Sequence, residues 1–158
     1  IRANDGQWVQ RTQLRTNAEG IANSSARILP RGTVCFSRTA SVGFVSIMGA
    51  PMATSQDFAN WVCGDDLDPE FLMHALIRSR KELREIATGA THKTIYMPQL
   101  ESFHLCAPDI SEQRRIVARL TAQLGESEAI TEATRSQMAE IERLPHRLLA
   151  RAFGQDGD

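Results

Sequence analysis

The chain has 158 residues, 42% of them hydrophobic, which is about one domain's worth and enough for a packed core, so global disorder is excluded. Its formal net charge is −1, which argues neither for nor against an anionic partner. No apolar run is long enough to span a membrane and no signal-peptide pattern opens the chain, so it reads as a soluble, unexported, cytoplasmic protein.

Residues 1–31 are polar and turn-rich, with Asp5-Gly6 and Glu19-Gly20 as turns and a short strand around Trp8 from Gln7 to Gln10. Pro30-Arg31-Gly32 is a tight turn into Thr33–Arg38, where Val34 and Phe36 alternate with Thr33, Cys35 and Ser37 as in a half-buried strand. Arg38–Ser41 is a polar loop, Gly43–Met48 the return strand, and Asp57–Cys63 a third strand. Asp68-Pro69-Glu70 then starts a helix: Asp caps free amides, Pro suits the first helical position, and Glu meets the positive helix end. Its apolar residues run with helical period from Phe71 through about Ala87. Thr88–Thr94 is a polar loop around Gly89. Ser102–Cys106 returns to strand, with Phe103 and Leu105 on one face and Pro108 as its end.

From about Ser111 to Phe153 the pattern is helical, capped by Asp109 or Ser111, with Ile116, Leu120, Leu124, Met138, Ile141 and Leu148 among positions spaced by three and four. Such a helix, roughly 60 Å long, exceeds what the preceding domain can cover, so its stripe calls for a partner helix. Pro145 should kink or interrupt it near Arg143. The fold class is therefore α/β (α+β). A small mixed-strand domain spans 1–108, and a long helix and tail span 109–158, the helix pairing as an antiparallel coiled coil. The opening IRANDGQW lacks an initiator Met, as though taken from the interior of a longer protein.

Charge is uneven. Residues 1–56 carry six Arg against Asp5 and Glu19, a local excess of +4, which either favours an anionic partner or is a solvated face. Cys35, Cys63 and Cys106 form no CxxC pair and read as reduced thiols; His74, His92, His104 and His146 have no metal-ligand spacing, so neither metal nor cofactor is expected. No phosphate-binding Gly-Lys-Ser/Thr loop, nuclease carboxylate–Lys cluster or methyltransferase motif is found. Cys106 and His104 share a strand face, but Cys106 reads as core-packed, so no catalytic residue is assigned.

Several segments together resemble the specificity (S) subunit of type I restriction–modification systems. Leu29-Pro30-Arg31-Gly32-Thr33-Val34-Cys35-Phe36-Ser37-Arg38 with Ser41-Val42-Gly43 is similar to that family's hairpin, with Thr33 where Asp is usual. Ala53–Phe58, Leu67–Leu72, Ala87-Thr88-Gly89-Ala90-Thr91-His92-Lys93-Thr94-Ile95, Ser111–Val117, and Leu144-Pro145 with Leu148–Gly154 follow in the family's order. The resemblance covers nearly the entire chain. It implies a non-catalytic module reading one half of a split double-stranded DNA target, at the end of a longer subunit or in a half-size one. Its partners would be methyltransferase subunits, the restriction/translocase subunit through the complex, and a second spacer helix from the same chain or a homodimer. A single-chain restriction–methyltransferase tail, or a helical protein–protein adaptor that does not read DNA, are the alternatives.

Arg38, in a loop with Ser37, Thr39 and Ser41, has the donors to bind guanine O6 and N7 or a phosphate, or else pairs with a local carboxylate. Thr91, His92 and Lys93 surround a Gly that permits close backbone approach to phosphate; the plain alternative is helix-to-strand punctuation. Gln56 reads as hairpin structure, Arg78, Arg80, Lys81 and Arg84 as a solvated helix face with phosphate contact as the alternative, and Trp8 and Trp61 as core rather than base-stacking platforms.

Overall fold

The computed structural model describes residues 1–89 and 93–154. The chain divides into two units, Ile1–Val117 and Ala118–Asp158. After a 3-10 turn at Arg2–Asn4, the first unit contains β1 (Gln7–Val9), α1 (Ala18–Ala22), β2 (Val34–Ser37), β3 (Val45–Met48), β4 (Phe58–Trp61), α2 (Pro69–Arg78), α3 (Arg80–Glu85) and α4 (Met97–Glu101). It also holds the first turns of α5 (Ile110–Phe153). The strands form one mixed sheet ordered β1-β3-β2-β4; β2 is antiparallel to both neighbours and β1 is parallel to β3. The α/β class expected from the sequence, short strands with a long terminal helix, is the class observed.

Register explains the core. Val34 pairs with Ile47 and Phe36 with Val45, so these four share one sheet face. They pack with Leu72, Met73 and Leu76 of α2 and with Leu83, Ile95 and Leu100. Burying this face supplies the main stabilisation of so small a sheet. The opposite face was expected to be solvated. Instead Cys35 and Ser46 are also buried, because the segments at Leu14 and Met52–Ser55 overlie them across a cavity of about 250 Å³. β2 is thus buried on both faces.

Asp68 caps α2 as its residue type predicts: its carboxylate accepts from the amides of Glu70 and Phe71 at 2.9 and 3.1 Å. The single helix expected to run to about Ala87 is two helices. Ser79, at φ −83° and ψ 9°, departs from helical dihedrals, and α3 starts afresh beyond it with Leu83 in the core. The strand expected at Ser102–Cys106 is absent among the described residues. Phe103 and Leu105 do pack on the core, but the segment has no strand to pair with, and the chain before it forms α4.

Asp109 caps α5, accepting from the amides of Ser111 and Glu112 at 3.0 Å each. Within the first unit, Gln113 is fully buried. Its Nε2 donates to the carbonyl oxygens of Asp66 and Pro108 at 2.9 and 2.8 Å, and its Oε1 accepts from the Asp68 amide at 2.8 Å. α5 has 44 residues, about 66 Å of helix, and Pro145 does not interrupt it. Proline's fixed φ is itself helical, so the loss is one hydrogen bond at an exposed position where water can reach the freed carbonyl. In the second unit Leu124, Met138, Ile141 and Leu148 are all more than half exposed.

Candidate nucleic-acid interface

The two loops singled out by their polar residues lie side by side. β2 and β3 are joined by a tight hairpin in which the Ser37 amide donates to Phe44 and the Gly43 amide returns to Ser37, at 2.9 Å each. Beyond β2, Thr39 bridges Thr94, the Ala40 amide donates to the Lys93 carbonyl at 3.1 Å, and the Ile95 amide donates to the Arg38 carbonyl at 2.9 Å. Ala40 takes a left-handed conformation, φ 57°, at the tip. The hairpin tip and the segment bearing Lys93 therefore form one surface.

Each candidate residue has a definite place. Arg38 is half-buried; its Nε donates to the Gln56 carbonyl at 2.9 Å and its Nη1 to the Ile95 carbonyl at 3.3 Å, so the guanidinium ties three segments together. Ser37 is buried, with Oγ 3.4 Å from the Thr39 carbonyl. Thr39 and Ser41 are half-buried at the tip, Ser41 Oγ accepting from Arg2 Nε at 3.2 Å. Lys93 is exposed. Thr91 and His92 lie outside the described residues. The Gln56 atom that holds Arg38 is its main-chain carbonyl oxygen.

Next to Lys93 stands a cluster that no short stretch of sequence displays. The guanidinium carbons of Arg2, Arg80 and Arg84 lie 5.6, 5.4 and 5.4 Å from the centre of the Phe44 ring. The face of an aromatic ring is electronegative, so it attracts all three. Arg80 was expected on a solvated face; it is half-buried and ion-paired to Asp5 at 2.7 Å, while Asp5 also accepts from the Val45 amide at 3.0 Å. Arg84 Nε donates to the Val42 carbonyl at 2.9 Å. Gly43 makes this approach possible: its φ is +92°, and a Cβ there would stand 2.8 Å from Arg80 Cγ and 3.0 Å from Arg84 Nε. Arg2, Ser41, Phe44, Arg84 and Lys93 line an open groove of about 450 Å³. Arg84 and Lys93 also border an adjoining groove of about 460 Å³ with Arg78 and Lys81.

The described residues hold no cluster of metal-ligating side chains. His104 is exposed with Nδ1 2.6 Å from the Ser102 carbonyl, and Cys106 is exposed, not core-packed as expected, because its segment alternates Phe103 and Leu105 inward and leaves Cys106 outward. Burial pushes the Cys35 thiol up to about 11. Burial, and then the Asp68 carboxylate, raise Cys63. Neither Cys35 nor Cys63 has the thiolate-stabilising setting of a nucleophile.

Residues 2–141 match the type I restriction modification DNA specificity domain, and the chain belongs to that family, a non-catalytic component of type I restriction–modification systems. A curated relative, the type I restriction enzyme MjaIX specificity subunit of Methanocaldococcus jannaschii, is 26% identical over 117 residues, covering 72% of this chain and 27% of the relative. A solved chain from a structural study of complex assembly and conformational transition in the type I R-M system is similar with a TM-score of 0.67 and 27% identity. That match covers 80% of this chain and 32% of the solved one. The chain thus spans about a quarter to a third of the length of these relatives.

Proposed function

We propose that this chain is a sequence-specific duplex-DNA binder, reading one half of a bipartite target within a cytoplasmic type I restriction–modification complex. Residues 1–108 are its recognition domain and 109–158 its spacer helix and tail. Methyltransferase subunits dock on the spacer and the restriction subunit joins through them; a second spacer helix, from the same chain or a second copy, covers the apolar stripe of α5. Within the recognition domain, Arg38, Ser37, Thr39 and Ser41 of the hairpin and Thr91, His92 and Lys93 of the neighbouring loop form the contact surface.

The observation that carries this reading is the joining of those two loops by the Ala40–Lys93 hydrogen bond and the Thr39–Thr94 bridge, in a chain of the DNA specificity family. Loops on a rigid sheet are where binding residues belong, because the scaffold fixes them; buried Ser37 would contribute by shaping the hairpin, and exposed Lys93 by direct contact. A salt titration of duplex binding by the chain tests it. Affinity should fall linearly in log–log coordinates, with a slope of about −0.9 per phosphate neutralised. A flat response would remove DNA as the partner.

A further inference from the structure

We infer that the groove floored by Phe44 and edged by Arg2, Arg84 and Lys93 is a seat for a phosphodiester of the DNA backbone, a positioning site that carries no sequence preference. The inference rests on the DNA-binding reading above and adds to it Arg2 and Arg84, neither of which belongs to the two loops considered there.

The charge balance of the cluster comes first. Of the cations around Phe44, Arg80 is paired with the Asp5 carboxylate, whereas Arg2 and Arg84 bond only neutral oxygens, Ser41 Oγ and the Val42 carbonyl. Among the described residues no carboxylate stands within ion-pair distance of Arg2, Arg84 or Lys93. Like charges gathered this closely repel, and the cluster is held by the Phe44 face, by the bonds of Arg2 to Ser41 Oγ and of Arg84 to the Val42 carbonyl, and by the space Gly43 leaves. An anion entering the groove relieves that repulsion.

The groove's form matches a phosphodiester better than a small metabolite. It is open and shallow, with a ring at its floor and cations at its edge, and past Arg84 and Lys93 it meets a groove lined by Arg78, Lys81 and one carboxylate, Glu85. A predominantly cationic row suits a polyanion whose charges repeat. Each guanidinium is fixed through Nε, which leaves its terminal nitrogens to donate in a fixed fork, the geometry that phosphate oxygens accept. The same fork could also meet guanine O6 and N7, so the comparison of two duplexes below separates a phosphate seat from a base contact. Phosphate contacts of this kind set the register of a protein on the duplex and leave base reading to other residues.

The test is a salt titration of the full chain on two duplexes, one selected by the protein from a random pool and one unrelated. Arg2→Gln, Arg84→Gln and Lys93→Gln should each lower the slope magnitude by about 0.9, on both duplexes alike. The triple variant should lose about 40-fold of the wild-type change in affinity over a fourfold rise in salt. Arg84→Lys gives up the bond to Val42 but keeps the charge. It should retain most of the slope, which a purely structural role for Arg84 does not predict. Arg143→Gln on α5 should leave the slope unchanged. If wild type shows a steep slope and the triple variant keeps it, the seat is overturned while DNA binding stands; variants that shift preference between the two duplexes would overturn it too. If wild type binds neither duplex at low salt, the DNA reading itself falls.

Discussion

Gln113 Oε1 accepts the backbone amide of Asp68 at 2.8 Å, so the residue that caps α2 is held by a side chain from the first turns of α5. The same carboxamide satisfies the Asp66 and Pro108 carbonyls, and it is wholly buried. A buried amide with its hydrogen bonds filled costs little to bury. Removing it strands three backbone groups, which is the expensive direction.

Gln113→Ala should therefore destabilise the first unit by about 2–4 kcal/mol, from stranded polar groups together with a cavity. Gln113→Glu should cost at least as much, because a carboxylate would face two carbonyl oxygens. Urea unfolding followed by the fluorescence of Trp8 and Trp61, both packed against the core, reads this out. A loss under about 0.5 kcal/mol would mean the clamp is incidental.

Arg38→Ala and Lys93→Ala should fail differently. Arg38 ties the Gln56 and Ile95 carbonyls, so its removal loosens the hairpin surface. If it reads a base, its loss should also cost about 1–3 kcal/mol and relax preference at one position. Loss of Lys93 should weaken binding to all sequences equally. Binding of both variants to a randomised half-site library separates the two. Unchanged binding for both would take them out of the interface.

The apolar positions of α5 call for a cover. Leu124, Met138, Ile141 and Leu148 are 51%, 58%, 63% and 63% exposed, a stripe of the kind that marks an interaction surface. Leu120→Glu with Ile141→Glu should abolish helix pairing and methyltransferase recruitment while the first unit stays folded. Light scattering after size exclusion, with circular dichroism, tests this; retained partners would contradict it.

Thiol reactivity should follow burial. Cys106 is exposed and should react with a thiol reagent in the native protein, whereas buried Cys35, its thiol pushed up to about 11 from 9.0, should react only on unfolding. Its proton is held more tightly when folded. That contribution to stability is complete below pH 9 and is lost as pH rises from there toward about 11. Mass spectrometry of labelled peptides across pH checks the order of reaction.

Local chemistry made much of this structure legible. Asp68-Pro69-Glu70 announced α2, the three-and-four spacing announced α5, and the alternation about Val34 and Phe36 announced the hairpin strand. Tertiary contacts decided what stayed hidden. Phe103 and Leu105 alternate like strand residues because both face the core, yet no strand runs beside them to hydrogen-bond. Cys35 is buried because distant segments fold over its sheet face. The break at Ser79 has no Gly or Pro to mark it, and the meeting of Arg2, Arg80 and Arg84 on Phe44 joins residues from both ends of the domain. A basic excess in the first third was visible; which arginines converge was not.

The central claim, that the chain recognises duplex DNA by sequence, is tested most directly by repeated selection of bound duplexes from a randomised library at moderate salt. One short motif should be enriched and bound more tightly than unrelated duplex, with both affinities falling as salt rises. A library that emerges unenriched, from a protein shown to be folded, would contradict it.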